Sequence, residues 1–261
     1  MTDMDWDQDL IACAGLVERG DPHRFRAAMA APVEARAVLF PVYAFNVEVS
    51  RAPWVTQEPM IAEMRLQWWR DALEEIRDGK NVRRHEVVTP LSALLSAENA
   101  DALDQLVAAR RWDIYKDAFE DQAHFDAYIR ETSGHLMLVS AQLLGPADAE
   151  VVLAYGYAAG VASFLGAVPE LEARGRIPLL DGRPEGVQEL AQGALDQLMK
   201  ARSQRSKVSR KARAALLSGA QSAMILKRAI SSPALVSQGA LHMPKLQESA
   251  SLGWQAMTGR Y

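Results

Sequence analysis

From Val33 to Ala52 the sequence is apolar on almost every face of a helix, and a helix with no polar side must be enclosed by other elements all round. That stretch demands a central helix with companions. Pro41 lies inside it, where a missing N–H and a bulky ring predict a kink or a split. Asn46 and Glu48 are its informative polar residues.

The companions also read as helices. Leu10, Ile11, Ala14 and Val17 recur at helical spacing behind Asp3, Asp5, Asp7 and Asp9, and carboxylates suit a helix N-terminus. Asp21-Pro22 is a cap followed by a first-turn proline. With Thr56 as cap, Pro59 in the first turn and Gly79 as terminator, a further helix spreads Ile61, Met64, Leu66, Trp68, Trp69, Ala72, Leu73 and Ile76 over one broad core-facing arc. Arg65 falls near the middle of that arc. A guanidinium buried there needs a carboxylate or a wet cavity to face. Glu48 is the nearest plausible counter-ion, and separate exposure of the two residues is the alternative.

Helical spacing continues from Phe125 to Leu144, Gly145-Pro146 interrupts it, and Val151 to Pro169 runs nineteen residues without a charge. That length is near the minimum for crossing a bilayer. Its many small residues, with Gly156 and Gly160 four apart, favour a tightly packed core helix instead. Proline and glycine crowd the segment from Pro169 to Gly186, which reads as a loop. Leu195, Leu198, Met199, Val208, Ala212, Ala215 and Leu216 then restore a helical stripe. No window alternates as a strand would. The expectation is an all-α helical bundle, a single domain over residues 1–261, with residues 1–20 as a peripheral helix.

Charge and chemistry narrow the function. A net charge of -4 with 24% charged residues describes a soluble globular chain. The lone Cys13 leaves no internal disulfide or cysteine metal site and suits a reducing compartment. The acidic N-terminus lacks the charge of a signal or transit peptide, so a cytoplasmic location is expected. Between Asp196 and Glu248 there is no acidic residue but there are ten basic ones, among them Lys200, Arg202, Arg205, Lys207, Arg210 and Lys211. Such a face suits phosphates, anionic lipid head groups or an acidic partner, the plain alternative being a solvated helix face. Interleaved aromatics are missing, so nucleic acid is not expected. The five histidines have no ligand spacing, and no phosphate loop, dinucleotide fingerprint or nucleophile elbow is present.

Tyr43-Ala44-Phe45, then Met64-Arg65-Leu66-Gln67-Trp68-Trp69-Arg70-Asp71-Ala72-Leu73, and later Gly175-Arg176 followed by Pro178 resemble the squalene/phytoene synthase family. The resemblance spans the chain from about Asp21 to beyond Leu217. It implies the isoprenoid synthase fold with a central cavity, lined by Tyr43, Asn46, Glu48, Arg65, Trp68, Trp69, Ser163 and Arg176. Catalytic members of that family join two prenyl diphosphates using Mg²⁺ held between two aspartate-rich motifs, because an ionising diphosphate needs concentrated positive charge and magnesium needs carboxylate oxygens. At the positions that the resemblance assigns to those aspartates, this chain has Ser50, Arg51 and Trp54 in the first motif, and Ala167 and Leu171 in the second.

Phe45-Asn46-Val47-Glu48 with the Trp68-Trp69 segment is similar in particular to a non-catalytic branch related to assembly factors of respiratory complex I. That similarity implies no metal or other cofactor, a complex I subunit or assembly intermediate as partner, and a position in the cytoplasm or at the inner membrane surface. The alternatives are a divergent prenyl transferase using Mg²⁺ with Glu48, Glu170 or Glu172, and a non-catalytic carrier of an isoprenoid or other lipid.

Overall fold

The structure, a computed structural model, describes residues 8–241 and 245–259. Asp3, Asp5, Asp7 and His242 lie outside them. Among the described residues the chain forms fourteen α-helices and no strand. These are α1 (Gln8–Gly20), α2 (Pro22–Ala30), α3 (Val33–Arg51), α4 (Pro59–Arg77), α5 (Val88–Ser92), α6 (Ala97–Ala109), α7 (Gln122–Ile129), α8 (His135–Leu144), α9 (Ala149–Ala173), α10 (Pro184–Ser203), α11 (Arg213–Leu216), α12 (Ser222–Ser231), α13 (Ala234–Ser237) and α14 (Lys245–Thr258).

The central helix is α3. Leu39, Phe40, Val42, Tyr43, Ala44, Phe45 and Val49 on it are buried on every side, with α1 and α2 along one flank and α8 along another. Pro41 does not split it: the helix is continuous from Val33 to Arg51. Enclosure by neighbours outweighs the ~3 kcal/mol that an interior proline costs an isolated helix. Cys13 and Val17 of α1 are likewise fully buried.

The second long core element is α9, capped by the Asp148 carboxylate, which accepts from the Val151 N–H at 3.1 Å. It packs on α10, α8 and α12 and on a π-helical turn, Arg130–Gly134, set between α7 and α8. A Cβ on Gly160 would stand 2.7 Å from Ser133 Cβ and from Ile129 Cγ2, and one on Gly156 would stand 2.9 Å from Gly134 Cα. The two glycines therefore let α9 press directly onto that turn. The loop expected from Pro169 starts later, since α9 runs through Pro169 to Ala173, with Leu171 half-buried and Glu170, Glu172 and Ala173 exposed in its last turn.

The largest correction concerns α4. Its buried residues are Ala62, Leu66, Trp69, Ala72 and Leu73, facing α6 and α3, whereas Ile61, Met64 and Arg65 are exposed. Apolar residues occupy two sides of this helix, and the side that packs excludes Arg65. The Thr56 hydroxyl accepts from the Glu58 N–H at 3.1 Å, so it shapes the turn before α4, while Glu58 takes the cap position. Gly79 ends the helix with φ +63°, the left-handed conformation glycine supplies without strain.

Candidate functional site

The π-turn places Ser133, and α9 places Ser163, at the border of two cavities that both residues line. π-Turns inside helices recur at functional sites because they re-aim side chains without breaking the helix.

The first cavity holds about 520 Å³ between α2, α3, α8, α9 and α12, with Glu248 of α14 at its edge. Leu136, Met137 and Ile225 give it apolar walls, and Tyr43, Gln221 and Ser222 give it polar ones. Asp21 caps α2 by accepting from the Arg24 N–H at 2.9 Å and also pairs with the Arg24 guanidinium. Burial works against ionising Asp21, but the charge of Arg24 and its backbone and side-chain hydrogen bonds together outweigh it and hold the carboxyl below its usual range. Arg26 Nη2 donates to Glu248 Oε2 at 3.1 Å. Burial lowers the His23 pKa, keeping that imidazole neutral, and pushes the Tyr43 phenol up to about 12.

The second cavity, about 510 Å³, opens where the C-terminal turns of α3 and α9 face one another. Ser50, Arg51 and Trp54 stand on one side, and Ala167, Glu170, Leu171 and Arg174 on the other. The Arg174 guanidinium stacks on Trp54, Cζ to ring centroid 4.5 Å, and pairs with Glu170. Deeper in, the buried Asp113 carboxylate accepts from Tyr128 Oη at 3.0 Å and from Arg110 Nη1 at 3.0 Å. Burial raises the Tyr128 phenol pKa well above its usual value, so it stays a donor.

The donor set does not fit a magnesium cluster. Mg²⁺ takes near-octahedral oxygen ligands, yet the two carboxylates lining this cavity, Asp113 and Glu170, are already engaged by arginines, and three guanidiniums line it with them. Among the described residues no group of three or more His, Cys, Asp or Glu side chains is gathered as metal ligands.

The residues singled out in the sequence separate into groups. Tyr43 and Ser163 line the first cavity, and Ser163, Ser50, Arg51, Trp54, Ala167 and Leu171 line the second. Arg176 lies beside them in a cleft with Trp54. Its guanidinium sits 4.0 Å from the Trp112 ring centroid and donates to the Asp113 carbonyl at 3.0 Å. Asn46 is buried in α3 but lines neither cavity, and Glu48 pairs with Arg51 at 3.4 Å, not with Arg65.

Trp68 and Trp69 line neither of these two cavities. Trp69 packs edge-on against Phe45 at 5.4 Å, and Trp68 lies under Arg83 at 4.9 Å. Both serve the contact of α4 with its neighbours. Lys200, Arg205, Lys207, Arg210 and Lys211 are exposed at the end of α10 and beyond, and Arg202 is half-buried.

Sequence reasoning missed Arg110, Asp113, Tyr128, Gln221 and Glu248 as site residues. The three-residue spacing of Arg110 and Asp113 was a usable signal for a local ion pair; the others come from distant segments and share no motif.

An all-α bundle with a cavity between long central helices is the architecture of the isoprenoid synthases. A crystal structure of a dehydrosqualene synthase superposes with a TM-score of 0.75, covering 97% of this chain and 96% of that one at 17% identity. Squalene synthase HpnC from Alicyclobacillus acidocaldarius gives a TM-score of 0.68 over 88% and 94% of the two chains at 20% identity. The chain belongs to the squalene/phytoene synthase family, whose model matches residues 17–181.

Similar sequences carry a different description. A Drosophila melanogaster protein, the NADH dehydrogenase (ubiquinone) complex I, assembly factor 6 homolog, is 31% identical over 64% of this chain and 53% of its own length. The Homo sapiens assembly factor 6 is 25% identical over 63% of this chain and 51% of its own. The chain thus spans about half the length of the curated relatives it matches.

Proposed function

We propose that this chain acts without catalysis, as an assembly factor for NADH:quinone oxidoreductase, using the synthase fold as a scaffold for a protein partner. The observation that carries the reading is the second cavity, where Ser50, Arg51 and Trp54 face Ala167 and Leu171. Ionising a diphosphate requires preorganised positive charge at the leaving group. Here the arginines are paired to carboxylates, and the carboxylates are therefore unavailable to a metal. The names of the relatives point the same way. The exposed basic residues from Lys200 to Lys211 suit peripheral contact with an anionic inner-membrane surface, with the chain on the cytoplasmic side.

The competing reading is a divergent prenyl transferase that joins two prenyl diphosphates. Incubation of the purified chain with farnesyl diphosphate and Mg²⁺ separates the two. The proposal expects no pyrophosphate release above the protein-free rate, and release together with a coupled hydrocarbon product would replace it with the enzyme.

A further inference from the structure

We propose that the exposed face of α4 is an interface between two copies of this chain, paired antiparallel about Ile61. This helix lies against α6, α3 and the turn Arg110–Asp113. Away from those neighbours its first turns carry Met60, Ile61 and Met64, which are 76%, 39% and 67% exposed. Large apolar side chains side by side in water mark a contact surface, and methionine adapts its shape to a partner. The stripe closes at Trp68, because the Arg83 guanidinium lies over that indole and pairs with Glu75.

The charges beside the stripe choose the occupant. Glu58 and Arg65 are both exposed, and neither side chain pairs with another group among the described residues. Seven residues separate them, about 20° short of two full helical turns, so both stand on the same flank with Ile61 between them.

When two copies of a helix pair antiparallel about a two-fold axis, each flank meets the same flank running the other way. Glu58 of each copy then faces Arg65 of the other, which makes two reciprocal ion pairs around apposed Ile61 side chains. A parallel pair would instead set Glu58 against Glu58 and Arg65 against Arg65. An anionic membrane suits this face less well, since Arg65 is the stripe's single cation and Glu58 offsets it. The patch is small beside an obligate interface, so the pairing is weak and depends on concentration.

The test is sedimentation velocity of the purified full chain from about 1 to 100 μM at low salt. The expected result is a monomer at the dilute end and a dimer at the concentrated end. Arg65→Glu and Glu58→Arg should each raise the dissociation constant about tenfold or more, because both reciprocal pairs become like-charge pairs. Combining Glu58→Arg with Arg65→Glu should restore the dimer, a rescue that loss of folding or of apolar contact does not give. If Glu58→Arg loosens the start of α4, as its melting curve would show, Arg65→Glu decides together with Met64→Asp, which should also weaken the dimer about tenfold or more. A monomer at every concentration, a dimer indifferent to the single substitutions, or a well-folded double variant as weak as the single ones would each overturn the proposal.

Discussion

The guanidinium of Arg174 lies over the indole of Trp54, 4.5 Å from the ring centroid, and so ties the end of α9 to the turn after α3. This contact bridges residues from the two walls of the second cavity. Cation–π contacts contribute about 0.5–2 kcal/mol, and the buried part of the indole adds to that. Trp54→Ala should lower unfolding stability by about 1–3 kcal/mol, and Trp54→Phe by less, in urea denaturation.

Gly160 presents the opposite problem, too little room. A Cβ there would stand 2.7 Å from Ser133 Cβ and Ile129 Cγ2. Gly160→Val should force α9 off the π-turn and destabilise the chain by about 1–3 kcal/mol or more, seen as a lower denaturation midpoint. Gly193, with no neighbouring atom in reach of an added Cβ, is the matched control. Gly193→Ala there should be neutral or mildly stabilising, because it sits inside α10.

How far the sequence could be read is clearest along α3 and α4. The near-continuous apolar run of α3 left one solution, burial on all sides, and its Tyr43, Phe40 and Phe45 are among the largest fully buried side chains. In α4 apolar residues cover two sides, and periodicity alone does not choose between them. The choice is made by α6 and α3, which take Ala62, Leu66 and Trp69 and leave Met64 and Arg65 in water. The same limit applies to the cavities. Tyr43 and Ser163 belong to elements readable from the sequence, but Gln221 and Glu248 reach the first cavity only because α12 and α14 fold back onto α2 and α9.

Arg65 supplies a direct check on that account of α4. A buried Glu48–Arg65 pair would cost roughly 3–5 kcal/mol on loss of one partner. With Arg65 exposed and Glu48 paired to Arg51, Arg65→Ala should change stability by no more than about 0.5 kcal/mol.

Two half-buried histidines, His23 and His135, give stability a pH dependence. Burial lowers the folded-state pKa of His23 and of His135 below the ordinary 6.5, so the unfolded chain binds those protons more readily. Their contribution is complete above the ordinary value and declines as pH falls through the lower folded values. Asp21, also depressed in the folded state, adds a second loss below its ordinary 3.8. Urea midpoints should therefore fall on acidification from about pH 7 to 5, and His23→Gln with His135→Gln should flatten that slope.

The central claim is that the chain serves assembly of a respiratory complex rather than synthesis of a prenyl product. Its most direct test is the amount of assembled NADH:quinone oxidoreductase, resolved on native gels, in cells from which the chain has been deleted. The account predicts a marked loss of the assembled complex, restored by the intact chain supplied in trans. Unchanged levels of the complex in the deleted cells would contradict it.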